Sequence, residues 1–250
     1  MRFLGHSTVR MELAGHVILT DPVLTPRVGP LVRVVPPLSP EAWAGTDLVL
    51  ISHIHGDHLH LPSLRLLPSS AVVVVPRGAG QWLRRRGIRN VSELGVGQEL
   101  VHGALRITAT YAAHSGHRWG PRLTHGPHAP AVGHIVRTDD VRIYVAGDTD
   151  LFDGMTALGP VDVALLPVWG WGPSLGPGHL TPQRATEAVK RVRPRIAVPV
   201  HWGTLALPGL ARTPRMRRLL TEPPLEFAAA AGPAVVVTAP GAEVPLRQGI

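Results

Sequence analysis

The sequence predicts a single α/β domain of layered sheets with outer helices, spanning residues 1–250. Three observations carry that reading. Short apolar runs bounded by turn residues recur in both halves of the chain. A helix with a well-formed start separates two of the later runs. Pro and Gly are frequent, but they punctuate elements instead of pooling in a linker.

The elements follow in order. Arg2–Leu4, Thr8–Leu13 and His16–Thr20 alternate or run apolar, and Gly5 and Gly15 between them suit turns. Asp47–Ser52 and Ala71–Pro76 are continuous apolar runs, the pattern of strands buried on both faces. Gly78–Arg86 separates an apolar face from an Arg face and reads as a short helix. Glu99–Tyr111 and Gly133–Val145 add strands, the second folding back at Thr138-Asp139-Asp140. Val161–Leu166 is another apolar strand. Thr181 as N-cap and Pro182 at the first helical position open a helix that runs to about Arg193, where Pro194 stops it. Ile196–Val200 reads as a strand, Pro214–Leu220 as a helix and Ala234–Thr238 as a last strand.

Composition narrows the function classes. Hydrophobic content of 44% with 17% charged residues suits a soluble globular chain, and no apolar stretch approaches the roughly 18 residues that span a bilayer. The start, Met-Arg-Phe-Leu-Gly-His, has no leader-like apolar region, so a cytoplasmic location is expected. The absence of cysteine excludes disulfides, thiolate catalysis and Cys-type zinc sites. The net charge of +8 comes from arginines spread along the chain. Their densest groups, Arg84–Arg86 with Arg89 and Arg212 with Arg215, Arg217 and Arg218, fall in surface helices, which argues against a nucleic-acid partner.

The segment with most chemistry is Ser-His53-Ile-His55-Gly-Asp57-His58-Leu, directly after the apolar run ending at Ile51. A buried strand there ends in a loop that presents three imidazoles and a carboxylate together, a mixed donor set suited to a transition metal. Other metal-capable residues also sit just past strands: His114 after Leu105–Ala113, Asp148 after Arg142–Gly147, and His201 after Ile196–Val200. Loops at strand ends can bring such residues to one shared edge.

In this order and spacing the residues resemble the metallo-β-lactamase fold superfamily, over nearly the whole chain. Within it the sequence looks most like the branch of ascorbate-phosphate lactonase and N-acylphosphatidylethanolamine-hydrolysing phospholipase D. Leu4-Gly5-His6-Ser7-Thr8, Thr20-Asp21-Pro22, Leu165-Leu166-Pro167 and Gly178-His179-Leu-Thr-Pro182 carry that finer likeness. The resemblance implies a four-layer αββα sandwich of two mixed β-sheets with outer helices. It also implies two divalent ions, zinc before manganese or iron. His53, His55 and His114 would hold one ion; Asp57, His58 and His201 the other; Asp148 would bridge them. Two such cations lower the pKa of a bridging water toward neutrality and so provide a hydroxide nucleophile.

The remaining candidates follow from these. Asp21 would orient a ligand imidazole through its free N–H. Asp57 and His179 are the catalytic candidates, His179 by polarising a substrate oxygen or protonating a leaving group. His6 packs or hydrogen-bonds within the N-terminal strand motif. Trp169, Trp171 and Trp202 are expected to wall the substrate pocket, with Trp119 nearby. His60, His117, His125 and His128 read as surface residues, and 117–130 as a lid.

The expected function is therefore a metal-dependent hydrolase that directs a metal-bridging hydroxide at a phosphodiester, lactone or related ester in a small-molecule or lipid-like substrate. Two alternatives stand beside it: an RNA or DNA phosphodiesterase of the same superfamily, and a non-catalytic metal-stabilised binding or sensing protein. Whether the chain forms a homo-oligomer is left open.

Overall fold

The computed structural model describes residues 1–118 and 127–246. The chain opens with a meander of β1 (Arg2–Gly5), β2 (Thr8–Leu13) and β3 (His16–Thr20). Two short strands, β4 (Arg27–Val28) and β5 (Leu31–Arg33), leave it for a small sheet of their own. Next come β6 (Leu48–Leu50), α1 (Leu61–Leu64), β7 (Val72–Pro76), α2 (Gly80–Arg84) and β8 (Val91–Leu94). These complete a six-stranded sheet of order β1-β2-β3-β6-β7-β8, in which β3, β6, β7 and β8 run parallel.

A second sheet follows from β9 (Glu99–His102), β10 (Leu105–Tyr111), β11 (Val132–Arg137), β12 (Arg142–Val145), β13 (Val161–Pro167), α3 (Pro182–Val192) and β14 (Pro194–Val200). Its order is β14-β13-β12-β11-β10-β9, antiparallel from β9 to β12 and parallel from β12 to β14. The chain closes with β15 (Leu205–Ala206), which pairs with β5, then α4 (Pro214–Thr221) and α5 (Pro223–Ala231).

The apolar runs explain the layering. Along β6 the side chains alternate: Leu48 and Leu50 enter the core between the sheets, and Val49 turns to the outer face. The inner core joins Phe3, Met11, Ile18 and Val74 of the first sheet to Ile107, Val136, Tyr144 and Leu165 of the second. Outside the first sheet, Val49, Val73 and Val75 pack on Leu64 of α1 and Leu83 of α2. On the second sheet's side, Ala185, Ala188 and Val192 of α3 join the main core. The result is the mixed-sheet αββα sandwich. Removing one such inner side chain, as in Leu50→Ala, costs about 2–5 kcal/mol.

The helix start at Thr181 is as expected, its side chain accepting from Arg184 N, and the helix ends on Arg193 in the left-handed region (φ 53°) before Pro194. Ala234–Thr238 is not a strand. It makes a single parallel bridge, Ala197 to Val235, through Ala197 N–H to Ala234 O and Val236 N–H to Ala197 O. The next donor on that edge of β14 would be residue 199, a proline without an N–H, so the ladder cannot extend. The small β4–β5–β15 sheet and α5 have no counterpart in the sequence reading.

Strand direction sets the site. β1, β3, β6, β10, β12 and β14 all end at one edge of the sandwich, and their exit loops carry His6, Asp21, His53–His58, His114, Asp148 and His201.

Candidate metal centre

Four imidazoles at this edge share one design. The Nδ1 of each faces an oxygen: His53 toward Ser52 Oγ (3.0 Å), His58 toward Asp21 Oδ2 (2.9 Å), His114 toward the Gly178 carbonyl (2.7 Å) and His201 toward the Trp169 carbonyl (2.7 Å). With Nδ1–H donating there, the neutral form of each ring, the form that binds metal, has its Nε2 lone pair pointing inward. His55 turns its Nδ1 inward instead, 3.0 Å from His53 Nε2 and 3.2 Å from His114 Nε2. On the other side, His58 Nε2 and His201 Nε2 are 3.2 Å apart. Lone pairs facing one another at such distances match donors on a shared tetrahedral ion with bonds near ~2.1 Å, whose ligands sit ~3.4 Å apart.

Asp148 lies between the two groups. Its Oδ2 is 3.2 Å from His58 Nε2, 3.3 Å from His201 Nε2, 3.4 Å from His179 Nε2 and 3.9 Å from His53 Nε2. Its Oδ1 is buried and has no hydrogen-bond partner among the described residues. A buried carboxylate oxygen without a donor is costly, and a cation would satisfy it. The residues present therefore fit divalent metal. His53, His55 and His114 form one metal-capable group; Asp57, His58 and His201 form another, joined by His6; Asp148 touches both sets through His53 and His58.

Asp21 ties the two groups together. Its Oδ1 accepts from Ser52 N (2.7 Å) and its Oδ2 from Ser52 Oγ (2.6 Å) as well as His58. Ser52 Oγ donates to Asp21 and accepts from His53, so one carboxylate orients His58 directly and His53 through a hydroxyl. Gly147 makes room for this: it sits at φ 62°, and a Cβ there would run into the Ser52 side chain. Asp21, His6 and His201 themselves adopt positive φ of 34°, 53° and 62°. Each such residue stores about 1–3 kcal/mol of strain, which the surrounding hydrogen bonds hold in place.

Electrostatics follow from burial and crowding. Burial, helped by His58 and His114, pushes His53 well below the usual imidazole range. Burial also lowers His55 and His6 to about 4. At Asp148 burial alone would raise the carboxyl, but His201 and His58 outweigh it and hold it well below the usual range. At Asp57, burial is likewise outweighed by His58 and by hydrogen bonds with His201 and His6. His58 moves well above its ordinary value because Asp148, Asp21 and Asp57 overcome its burial.

A cavity of about 390 Å³ opens over the centre, with Asp57, Asp148, His179 and His201 on its floor and Trp171, Pro173 and Leu175 along a wall. His179 reaches the centre through Asp148, and burial, which would lower its pKa, is overcome by the hydrogen bond and charge of that carboxylate. Trp171 lines the cavity; Trp169 and Trp202 do not. Trp169 packs on the main core and offers its carbonyl to His201, while Trp202 is buried against Phe3. His60 is not a surface residue: it is buried, held at Ser63 Oγ (2.8 Å) and lowered to about 4 by burial and Arg118. Trp119, His125 and most of the expected 117–130 lid lie outside the described residues.

Three side chains gather here that the sequence reading did not assign to the centre: it kept His6 to the N-terminal strand motif and left Ser52 and Arg118 without a role. His6 is fully buried, with Nε2 3.0 Å from Asp57 Oδ2 and its ring 4.1 Å from that of His201. Ser52 relays Asp21 to His53. Arg118 donates from Nη1 to the carbonyls of Ile54 (2.7 Å) and Leu59 (2.9 Å), clasping both ends of the His53–His58 loop. His6 had a signal, since it follows the first strand as the other site residues follow theirs. Arg118, far away in sequence, had none.

Comparisons with known proteins place the chain in a family. A family model described as "Beta-lactamase superfamily domain" matches residues 16–202. The chain is 32% identical over 227 residues to N-acyl-phosphatidylethanolamine-hydrolyzing phospholipase D 1 of Caenorhabditis elegans, covering 81% of this chain and 63% of that protein, so it spans less than two thirds of the worm relative. A UPF0173 metal-dependent hydrolase of Pyrococcus horikoshii is 32% identical over 256 residues, 98% of this chain and 99% of that one. Among solved structures, a metallo hydrolase from Ignicoccus hospitalis superposes with a TM-score of 0.72 at 26% identity, over 96% of this chain and 95% of that one.

Proposed function

The chain belongs to the beta-lactamase superfamily and is a metal-dependent hydrolase, and we propose that residues 1–250 form one such domain, which hydrolyses a phosphodiester or, second, a lactone or related ester at a two-metal centre. His53, His55 and His114 would hold one ion, and Asp57, His58 and His201 the other, with Asp148 between them. Zinc suits the imidazole-rich donors best; manganese and iron also fit the carboxylates. When bound, such a pair supplies Lewis-acid activation of a substrate oxygen and a water nucleophile at neutral pH.

The observation that carries the reading is the Asp148 carboxylate: one oxygen faces His53, His58, His179 and His201, and the other is buried without a donor. The chain's own groups then divide the work. Asp21 and Ser52 hold the imidazoles in one tautomer. His179 meets Asp148 from the cavity side, where it would be placed to give a proton to the leaving oxygen as the bond from that oxygen to phosphorus or carbon breaks. Trp171, Pro173 and Leu175 give the substrate an apolar wall. The worm relative, named for cleaving a phosphatidylethanolamine derivative, supports placing phosphodiesters first.

The test is turnover of metal-loaded protein on bis(p-nitrophenyl) phosphate, a simple lactone and p-nitrophenyl acetate. A kcat/KM on the diester at least about tenfold above the other two is expected, the scale of discrimination a shaped site provides. Preference for the lactone promotes the second reading. Inertness toward all three, with metal bound, overturns hydrolysis of these bonds in favour of a binding or sensing role.

A further inference from the structure

We propose that His16, Asp47 and His102 form a separate, structural site for a divalent transition metal of the zinc class, at the end of the sandwich opposite the hydrolytic centre. His16 opens β3 and Asp47 immediately precedes β6, both in the first sheet; His102 closes β9 in the second. The same strands run on to Asp21 and Ser52 at the other edge, and β10, paired with β9, runs on to His114. The two sites are thus separated by the length of a strand, roughly 20 Å.

Three donor atoms converge. His16 Nδ1 is 2.9 Å and His102 Nε2 3.4 Å from one oxygen, Asp47 Oδ1. The two rings are 4.7 Å apart at 59°. The other carboxylate oxygen, Oδ2, accepts from Val17 N at 2.9 Å, which fixes the carboxylate with Oδ1 turned to the imidazoles. A lone His–Asp contact would be an ordinary ion pair. The second imidazole, reaching the same oxygen from the opposite sheet, completes a two-His, one-carboxylate set. The 3.4 Å separation of His102 from Asp47 matches the ~3.4 Å edge of a tetrahedral site with ~2.1 Å bonds, whereas the 2.9 Å His16 contact is a hydrogen bond that a bound ion would replace. All three side chains are partly open to solvent, so a water can take the remaining position. Neutral imidazole with one carboxylate selects zinc, cobalt or nickel over magnesium or calcium.

The consequence is mechanical. An ion here clamps β9, the edge strand of the second sheet, onto the first sheet. None of the three residues touches the hydrolytic centre, so the site stabilises without taking part in turnover.

The test compares wild type with His102→Ala and His16→Ala, each loaded with zinc and dialysed against a buffered free-zinc concentration. Elemental analysis should give about one zinc fewer per chain in either variant than in wild type, whatever number the hydrolytic centre holds. Zinc-loaded wild type should melt roughly 5 °C above the loaded variants, and the three proteins should melt together after EDTA treatment. Hydrolytic activity should be unchanged in both variants. Equal zinc content in wild type and both variants overturns the proposal. A melting difference that persists equally after EDTA also overturns it, because the triad would then act as hydrogen bonds alone.

Discussion

Histidines and aspartates cluster at both ends of the same strands, but the two ends are built differently. At the edge where β6 and β12 exit, Asp148 is 2% exposed, and four imidazoles each have Nδ1 anchored to an oxygen. At the edge where β3 begins, the His16, His102 and Asp47 side chains are 26%, 25% and 38% exposed, and only the Asp47 carboxylate has a backbone anchor. Burial removes water's competition, and anchoring removes the freedom of the rings to turn away. Together they make a preorganised, strongly interacting centre. Without them, the same residue types make a clamp that solvent can reach.

The comparison can be pressed hardest at Asp148. Asp148→Ala removes the group shared by both halves of the centre, and kcat/KM should fall by roughly 10³-fold or more. The matching substitution at the other edge, Asp47→Ala, should leave kcat/KM within about twofold of wild type. Steady-state kinetics on the diester checks both; comparable losses would show that the two ends are not functionally distinct.

Between the edges, His134 of β11 shows what burial does without anchoring. Both its ring nitrogens are buried without hydrogen-bond partners among the described residues, and burial lowers its pKa to about 4, with Asp21 opposing. A folded pKa below the unfolded value of about 6.5 means that the unfolded chain takes up the proton first. The contribution of neutral His134 is complete above about pH 6.5 and is lost as pH falls toward about 4. In denaturant melts of metal-free protein, His134→Leu should lose less stability over that interval than wild type, by on the order of 3 kcal/mol. Parallel acid limbs for the two proteins would place the titration elsewhere.

Substitution of His179 offers a way to separate binding from chemistry at the proposed metal centre. His179→Gln should lower kcat by about 10²-fold while leaving bound metal unchanged, because the side chain meets Asp148 from the cavity side. Loss of metal together with rate would make it a ligand and not a proton donor.

Much of this was legible from residue order. The apolar runs at Asp47–Ser52 and Ala71–Pro76 announced strands buried on both faces, and the histidines beyond the strand ends announced the edge. Thr181-Pro182 located a helix start because N-capping is a local event. Ala234–Thr238 misled because a strand also needs a neighbour, and Pro199 denies it one. Trp169 and Trp202 misled because nearness in sequence to a ligand loop does not say which way a ring turns. His60 looked like a surface histidine until Ser63 and the surrounding packing buried it.

Local patterning of apolar, turn and capping residues was enough to predict a layered α/β domain, and the spacing of His53, His55, Asp57 and His58 a metal-capable loop, while the αββα sandwich came from the family resemblance. Local patterning works because strand alternation and helix starts depend on near neighbours. Other features arose only when distant segments met. The clasp of Arg118 on the metal loop, the Asp21–Ser52–His53 relay, the contact of His6 with Asp57 and the triad of His16, Asp47 and His102 each join residues from separate strands or loops. Their chemistry depends on distances of a few ångströms that the packing of two sheets sets and no spacing along the chain encodes.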